Sequence, residues 1–335
     1  MEQQTAEKIM HDLVSLSDDS WVFVLPYAVR VFVELDIADV LGPGPMPVER
    51  IAELVDADCE SLFRLMRALA TTGVVARSGR DFQLTPLGMR FRSDSPNSAR
   101  ESMANLDSHL AWISAADTIR HGHPSFDDAL GGRFFEHKDN DRAANLAFVR
   151  RMRARGTNSY ARFPEAVDWT CSSTVLDIGG GDGYLIDRVL SHAPHLTGIL
   201  FDRPATVELT AERPTTHAGR LSLVSGDFFQ KLPAGADTHM LCSVLHDWSD
   251  DECRTILTNS RAALDRGGRL LVLEMVVPDD NRWHPSMWSD LGMMVLTGGR
   301  ERGIEDFRSL LADAGYELAA VHEIPDSDFH VLEAR

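Results

Sequence analysis

Thr174-Val-Leu-Asp-Ile-Gly-Gly-Gly-Asp-Gly183 runs a short apolar strand straight into a loop almost without side chains. Such a loop contributes little to a core, so it is read as a surface that lies against a ligand. Gly179, Gly181 and Gly183 let backbone N–H groups approach closely and adopt conformations closed to other residues, and a helix expected from Tyr184 points its positive end at the same spot. A nucleotide or a charged small molecule is expected there.

The neighbouring residues narrow the choice. A dinucleotide fingerprint places a third glycine three positions after Gly181, where this chain has Tyr184. Acids follow instead: Asp177 just ahead of the loop, Asp202 at the end of the next apolar run, and Asp227 after Leu221-Ser-Leu-Val-Ser-Gly226. Asp202 is placed to accept both hydroxyls of a ribose. Acids at successive strand ends repel phosphates and favour a cationic ligand. S-adenosylmethionine carries an ammonium, a sulfonium, a ribose and an adenine amine, and no phosphate, so it is the expected cofactor.

Outward from the loop, strands are expected near 174–178, 197–201, 221–224, 237–245, 269–277, 317–322 and 328–333, with helices between most of them. This alternation predicts an α/β, doubly wound, mainly parallel sheet. Residues 1–165 read as helical instead, with helical spacing over 21–41, 48–54, 61–73 and 104–121. The expected domains are therefore 1–165 and 166–335, divided where a long helix over 145–167 ends. Within the first, two helices over 47–54 and 60–73 precede a hairpin over 74–85, a winged-helix pattern. DNA binding would use Arg64, Arg67, Arg77 and Arg80 on phosphates, but no basic cluster marks the second helix, and a packing and dimerisation module is the preferred reading. The segment Trp21-Val-Phe-Val-Leu-Pro-Tyr-Ala-Val29 is more apolar than one exposed helix needs, which predicts burial against a second subunit.

The chain has 335 residues, 44% of them hydrophobic and 25% charged, with net charge −18. A sequence pI near 5.1 disfavours nucleic acid and anionic membranes as partners. No apolar run reaches the roughly 18 residues of a membrane span, and the first eight residues lack the pattern of a signal peptide; a cytoplasmic location is expected. Cys59, Cys171, Cys242 and Cys253 are scattered, with neither zinc spacing nor a context for disulfides. No metal is expected.

The fourth strand delivers His246-Asp-Trp248 to the rim beside the glycine loop. A phenol with pKa near 10 must lose its proton on attacking carbon, and an imidazole near 6.5 can accept it; His246 is the candidate general base. Glu274 interrupts the run Leu270-Leu-Val-Leu-Glu-Met-Val-Val277, where an unpaired buried carboxylate would be costly. It is expected to reach His246 from the neighbouring strand and to orient or stabilise the imidazolium. Glu301, in Gly298-Gly-Arg-Glu-Arg302, is less distinctive and could be a solvated loop charge.

Val175–Gly183, Phe201-Asp-Arg-Pro204, Gly226-Asp-Phe-Phe229, Leu245-His-Asp-Trp-Ser-Asp250, Gly267–Glu274 and Gly298–Arg302 stand in the order of S-adenosylmethionine-dependent O-methyltransferases. The chain resembles the caffeate and hydroxyindole type, in particular its bacterial antibiotic-biosynthesis members, over nearly its full length. The resemblance implies a Rossmann-like catalytic domain behind a dimerisation domain. It implies that Asp202 holds the ribose with Arg203 beside it, Asp227 and Phe228 the adenine, Gly179 and Gly181 the methionine moiety, and that Trp248 packs near the cofactor. It assigns His246 as base, supported by Glu274 and Glu301. Plant members place a lysine where this chain has Cys242, and a serine where it has Gly156; Ser243 and Thr157 stand beside these gaps as substitutes.

Transfer would be one in-line displacement, for which the protein aligns oxygen, methyl carbon and sulfur and removes a proton. A small aromatic acceptor is expected against soft apolar groups, among them Trp112, Phe148, Met152, Met287, Trp288, Met293 and Met294, with Asp290 on an acceptor hydroxyl. The cluster Arg150, Arg151, Arg153 and Arg155 reads most simply as a solvated helix face, although one arginine could meet an acceptor carboxylate. Two other classes remain open: a cofactor-binding homologue that decarboxylates or hydroxylates, and a ligand-responsive winged-helix regulator.

Overall fold

The strand–helix alternation folds into one seven-stranded sheet, ordered β6 (Leu221–Ser225), β5 (Thr197–Asp202), β4 (Thr174–Ile178), β7 (Ala236–Cys242), β8 (Leu264–Met275), β10 (Phe329–Ala334) and β9 (Leu318–Glu323). In this computed structural model residues 7–8, 10, 21–42, 44–95, 98–213, 216–217, 219–280 and 282–335 are described, without the side chains of Trp21 and Val22. The start of the chain, 1–6, and the first two side chains of the apolar segment thus lie outside the described residues.

A three-stranded sheet, β1-β3-β2, comes first: β1 (Met46–Pro47), β2 (Val75–Ser78) and β3 (Asp81–Leu84). The pairings of the large sheet are parallel except those of β10, which runs antiparallel to both β8 and β9. The expected strands are all present within a few residues. Apolar clusters cover both faces: Leu176, Leu241, Ile256 and Phe307 on one, Val175, Ile186, Val189 and Leu271 on the other. The chain order reverses between β4 and β7, and the crevice above the carboxyl ends of those strands is where doubly wound sheets bind ligands.

The chain divides into two compact units, Met1–Asn105 and Leu106–Arg335. This division falls well before the boundary expected near 165. The helices Leu106–Ile113, Ser125–Leu130 and Arg142–Ser159 pack within the second unit, around Phe126, Phe134 and Val295. Helical periodicity shows that a helix has a buried face but does not say which core receives it. The expected helix over 104–121 is also broken, into Leu106–Ile113 and Ala115–His121, and the one over 145–167 ends at Ser159.

In the first unit the winged-helix pattern is present. Helix Val48–Leu54 is followed by helix Cys59–Ala70, whose N-cap Asp58 accepts from Ser61 N at 2.8 Å. Three of the four arginines considered for phosphates, Arg67, Arg77 and Arg80, are engaged internally. Arg80 bonds Glu49 at 2.6 Å and Glu60 at 2.8 Å, and the guanidinium carbons of Arg80 and Arg77 lie 4.5 and 5.0 Å from the centre of the Phe63 ring. On helix Trp21–Glu34, Phe23 is 70% exposed and Val24 and Val31 are exposed too, an apolar face left open among the described residues. Among the described residues no helix is long and apolar enough to cross a membrane.

Candidate active site

The loop after β4 forms the floor of a cleft lined by Gly179, Gly181, Asp177, Asp202, Ser243 and Trp248, with Phe135, Tyr160 and Asp182. Gly179, Gly181 and Gly183 all have positive φ, at 73°, 56° and 78°, the left-handed region that favours glycine. Asp202 fixes the loop: its Oδ2 accepts from Gly181 N at 2.8 Å and its Oδ1 from Arg203 N at 2.7 Å. Each carboxylate oxygen keeps a lone pair for a ligand hydroxyl. Asp177 is buried, and its Oδ2 has no hydrogen-bond partner among the described residues. Burial, with Asp202 and Asp182 nearby, pushes Asp177 up to about 7. A buried carboxylate left in this state is suited to a cationic or donor-bearing ligand.

Asp182, not singled out by its sequence context, also lines the cleft. It is tied to Arg153 and, at 2.8 Å, to Arg213. Tyr160 was equally silent in the sequence. Its buried hydroxyl stands near Cys242 and Ser243, and burial first, then the Cys242 thiol, raises it well above the ordinary phenol range. The same ring accounts for Gly156: a Cβ there would lie 3.0 Å from Tyr184 and 3.1 Å from Tyr160. Two tyrosines thus fill the space that a serine would need. Ser243 adopts φ 51°, and its buried Oγ forms no hydrogen bond of good geometry.

Further out, Trp248 stacks on Phe135 at 5.2 Å and meets Phe228 edge-on at 5.7 Å. Asp227 and Phe228 stand in the adjoining pocket with Arg203, Phe135 and Trp248. The Asp227 Oδ1 accepts from Phe229 N at 2.8 Å.

His246 lies in a short turn after β7 and is 3% exposed. Its Nδ1 is 2.9 Å from Glu301 Oε1 and 3.6 Å from Glu274 Oε2. The acids therefore divide the work differently from expectation. Glu301, which looked like an ordinary loop charge, makes the direct bond to the ring and also accepts from Ser289 Oγ at 2.6 Å. Glu274 accepts through Oε1 from the backbone N–H groups of Val244, Leu245 and His246, at 3.0, 2.9 and 3.4 Å. It shapes the turn that carries the base. Burial disfavours the charged ring, but Glu274, Glu301 and Asp247 outweigh it and raise His246 to about 9. Burial raises Glu274, to about 7, whereas in Glu301 the contact with His246 overcomes burial and lowers it.

His246, Glu274 and Glu301 offer atoms within 4.8 Å of one another, a spacing that a cation could bridge. The His246–Glu301 contact has the length of a hydrogen bond. An ionised Glu301 can only accept, so His246 Nδ1 carries the proton, and a metal at that nitrogen would have to displace it.

Two further residues secure this arrangement. Arg302 is 1% exposed and donates to the carbonyls of Leu245 and Trp248, both at 2.8 Å, and to Asp250 at 2.7 Å. Gly299 packs so closely that a Cβ would lie 2.0 Å from the His246 carbonyl oxygen.

The residues expected to meet the acceptor separate. Phe148 and Met152 line the cleft. Trp112 is exposed and outside that lining, and Met294 packs on the cluster around Phe126. Asp290 Oδ1 accepts from Glu301 N at 2.8 Å, so its first task is to hold the Glu301 loop. Cys59, Cys171, Cys242 and Cys253 are free.

A buried imidazole whose Nδ1 is committed to a carboxylate, at the switch point of a parallel sheet and beside an acid-lined glycine loop, fits a Rossmann-like transferase that moves a group and a proton. Family models agree. An O-methyltransferase domain matches residues 112–317, and an O-methyltransferase dimerisation domain matches residues 20–94. The chain belongs to the O-methyltransferase family. It is 34% identical to the O-methyltransferase SfmM3 of Streptomyces lavendulae over 92% of this chain and 95% of that one. The crystal structure of LaPhzM superposes with a TM-score of 0.91 at 30% identity, covering 98% and 99% of the two chains. NcsB1, an O-methyltransferase from neocarzinostatin biosynthesis in complex with S-adenosylmethionine and 2-hydroxy-5-methyl naphthoic acid, gives 0.83 at 31% identity over 93% and 95%.

Proposed function

We propose that this protein transfers a methyl group from S-adenosylmethionine to a phenolic hydroxyl of a small aromatic metabolite in antibiotic-type biosynthesis, with His246 as general base, and that it works as a homodimer through its first unit. The observation that carries this reading is the His246 ring, whose Nδ1 is held by Glu301 and whose Nε2 stands 3.9 Å from Oδ1 of Asp247, a residue of the cleft that Asp177, Asp202 and Ser243 also line. The relatives act in comparable chemistry, and NcsB1 holds both a cofactor and a naphthoic acid.

The cleft fits this cofactor in its donor set. The unpaired Asp177 Oδ2 answers a cationic amino acid end, Asp202 a ribose, and the Phe228 and Trp248 rings an adenine. Bound there, S-adenosylmethionine supplies an electrophilic methyl on a sulfonium leaving group. The protein contributes alignment and one proton acceptor. Glu301 holds Nδ1–H, so Nε2 presents its lone pair to the acceptor hydroxyl, and the imidazolium formed is stabilised by Glu301 and Glu274. A second cation in the cleft lowers the affinity of His246 for its proton and brings the base form within reach of neutral pH.

The test is incubation with S-adenosylmethionine and a panel of phenols, following S-adenosylhomocysteine and methylated product together by mass spectrometry. Equal amounts of both support the reading. Product without S-adenosylhomocysteine would overturn it in favour of decarboxylation or hydroxylation. Sedimentation of the purified protein as a monomer would overturn the dimer.

A further inference from the structure

The four arginines of helix Arg142–Ser159 at 150, 151, 153 and 155 separate into three environments. Arg150 is exposed, and Arg153 is bonded to Asp182. Arg151 and Arg155, one turn apart on the same face, form no hydrogen bond or ion pair among the described residues. Arg151 Nε is shielded from solvent without a partner. A shielded guanidinium is ordinarily paired.

Acids are near, Asp247 and Asp107 foremost, but none of them is bonded to Arg151. Asp107 is taken by Lys138 and approached by His137 at 3.5 Å. Glu274 is held through Oε1 by the turn after β7, and Glu301 through Oε1 by His246 and Ser289, while Oε2 of each has no hydrogen-bond partner among the described residues. Arg155 is the cation that offsets this cluster, since it acts on Asp247, Glu274 and Glu301 together. Arg151 is left undercompensated: burial, with Arg155 adding to it, lowers it to about 10 despite Asp247 and Asp107.

Its position gives this unpartnered group a use. The Arg151 guanidinium carbon is 5.6 Å from the centre of the Phe148 ring, and Phe148 and Met152 line the cleft beside Asp247. An aromatic ring lying along Phe148 would place an adjacent substituent at the unpaired guanidinium. The planar fork of arginine fits a carboxylate with two parallel bonds. A neutral phenol would leave the shielded charge without a partner.

We infer that the acceptor is an aromatic hydroxy acid whose carboxylate is bound by Arg151, which thereby sets which hydroxyl faces His246. The inference rests on the methyltransferase reading above. It makes Arg151 a specificity residue rather than a catalytic one.

Calorimetry on the full chain saturated with S-adenosylhomocysteine provides the test, using hydroxybenzoic and hydroxynaphthoic acids and the primary carboxamide of each. The acid of at least one pair is expected to bind on the order of tenfold or more tighter than its amide. Arg151→Gln should remove that preference and Arg151→Lys should retain part of it, with the affinity for S-adenosylhomocysteine unchanged in both. Equal binding of acid and amide, no binding of any acid, or a preference that survives Arg151→Gln overturns the inference. The acid–amide comparison on the unaltered protein stands whether or not the variants fold. Failure to bind S-adenosylhomocysteine would instead bring down the methyltransferase reading itself.

Discussion

His246 and Glu301, 55 residues apart in the chain, are joined by a 2.9 Å bond between Nδ1 and a carboxylate oxygen that selects the tautomer of the ring. With that proton committed, Nε2 is the nitrogen left to accept another. Replacing His246 by Ala should lower kcat by about 10² to 10⁴, the range expected for loss of a positioned base. Calorimetric affinity for S-adenosylhomocysteine should hold, because Asp202 and the glycine loop do not depend on the ring. A variant with undiminished kcat would assign the proton transfer elsewhere.

Glu301→Gln should alter the pH profile in a definite direction. In the ligand-free protein His246 titrates at about 9, raised by Glu274, Glu301 and Asp247 against the effect of burial. Raised affinity means that the base form grows as pH rises through that value. Removing one carboxylate charge lowers it, so the acid limb of the rate profile and the NMR titration of the ring should both move to lower pH. The maximal rate should fall, since the imidazolium loses a stabilising partner. An acid limb that stays in place would show that Glu301 only orients the ring.

Asp177 carries an opposite prediction for stability and binding. Its folded value of about 7 lies above that of an exposed aspartate, so the cost of its charge is absent below about pH 4, grows up to pH 7, and is complete above. Asp177→Asn should therefore stabilise the ligand-free protein at pH 8 by on the order of 4 kcal/mol, with little effect at pH 4. It should weaken S-adenosylhomocysteine binding at the same time. Paired thermal melts at the two pH values, with and without ligand, separate the effects; stabilisation of equal size at both would point away from the carboxylate charge.

Much of this site was legible because certain residues had no other reason to be where they are. Three glycines after an apolar strand serve no core, and one acid inside Leu270–Val277 would be costly without a partner. The strands followed from apolar runs, and the register of β7 on β8, with Cys242 opposite Leu273, places Glu274 beside the turn that bears His246. What stayed hidden depends on contacts remote in sequence. Glu301 has the local setting of a solvated charge, and only the fold seats it on the ring. Tyr160 and Asp182 gain their roles from Cys242 and Arg153, and the helices after Leu106 declare their core only once packed.

Gly299→Ala tests how closely the two loops must approach. Its Cβ would meet backbone, 2.0 Å from the His246 carbonyl oxygen and 2.5 Å from the Asp247 carbonyl carbon, so no flexible side chain can give way. A loss of about 1–3 kcal/mol is expected from overpacking. The rate should fall as well, because separating the loops lengthens the His246–Glu301 bond. An unchanged melting temperature would mean that the loops can part freely.

Arg302 grips the carbonyls flanking His246 from beneath, and this anchorage is independent of the helix Pro285–Leu296. Apart from Ser289 and Asp290, which reach Glu301, that helix can therefore exchange outward residues such as Trp288 and Leu291 without loosening the proton acceptor. Drift on that outer face can proceed while the reactive machinery keeps its alignment. The exterior of the scaffold is thus free to vary without disturbing the proton acceptor.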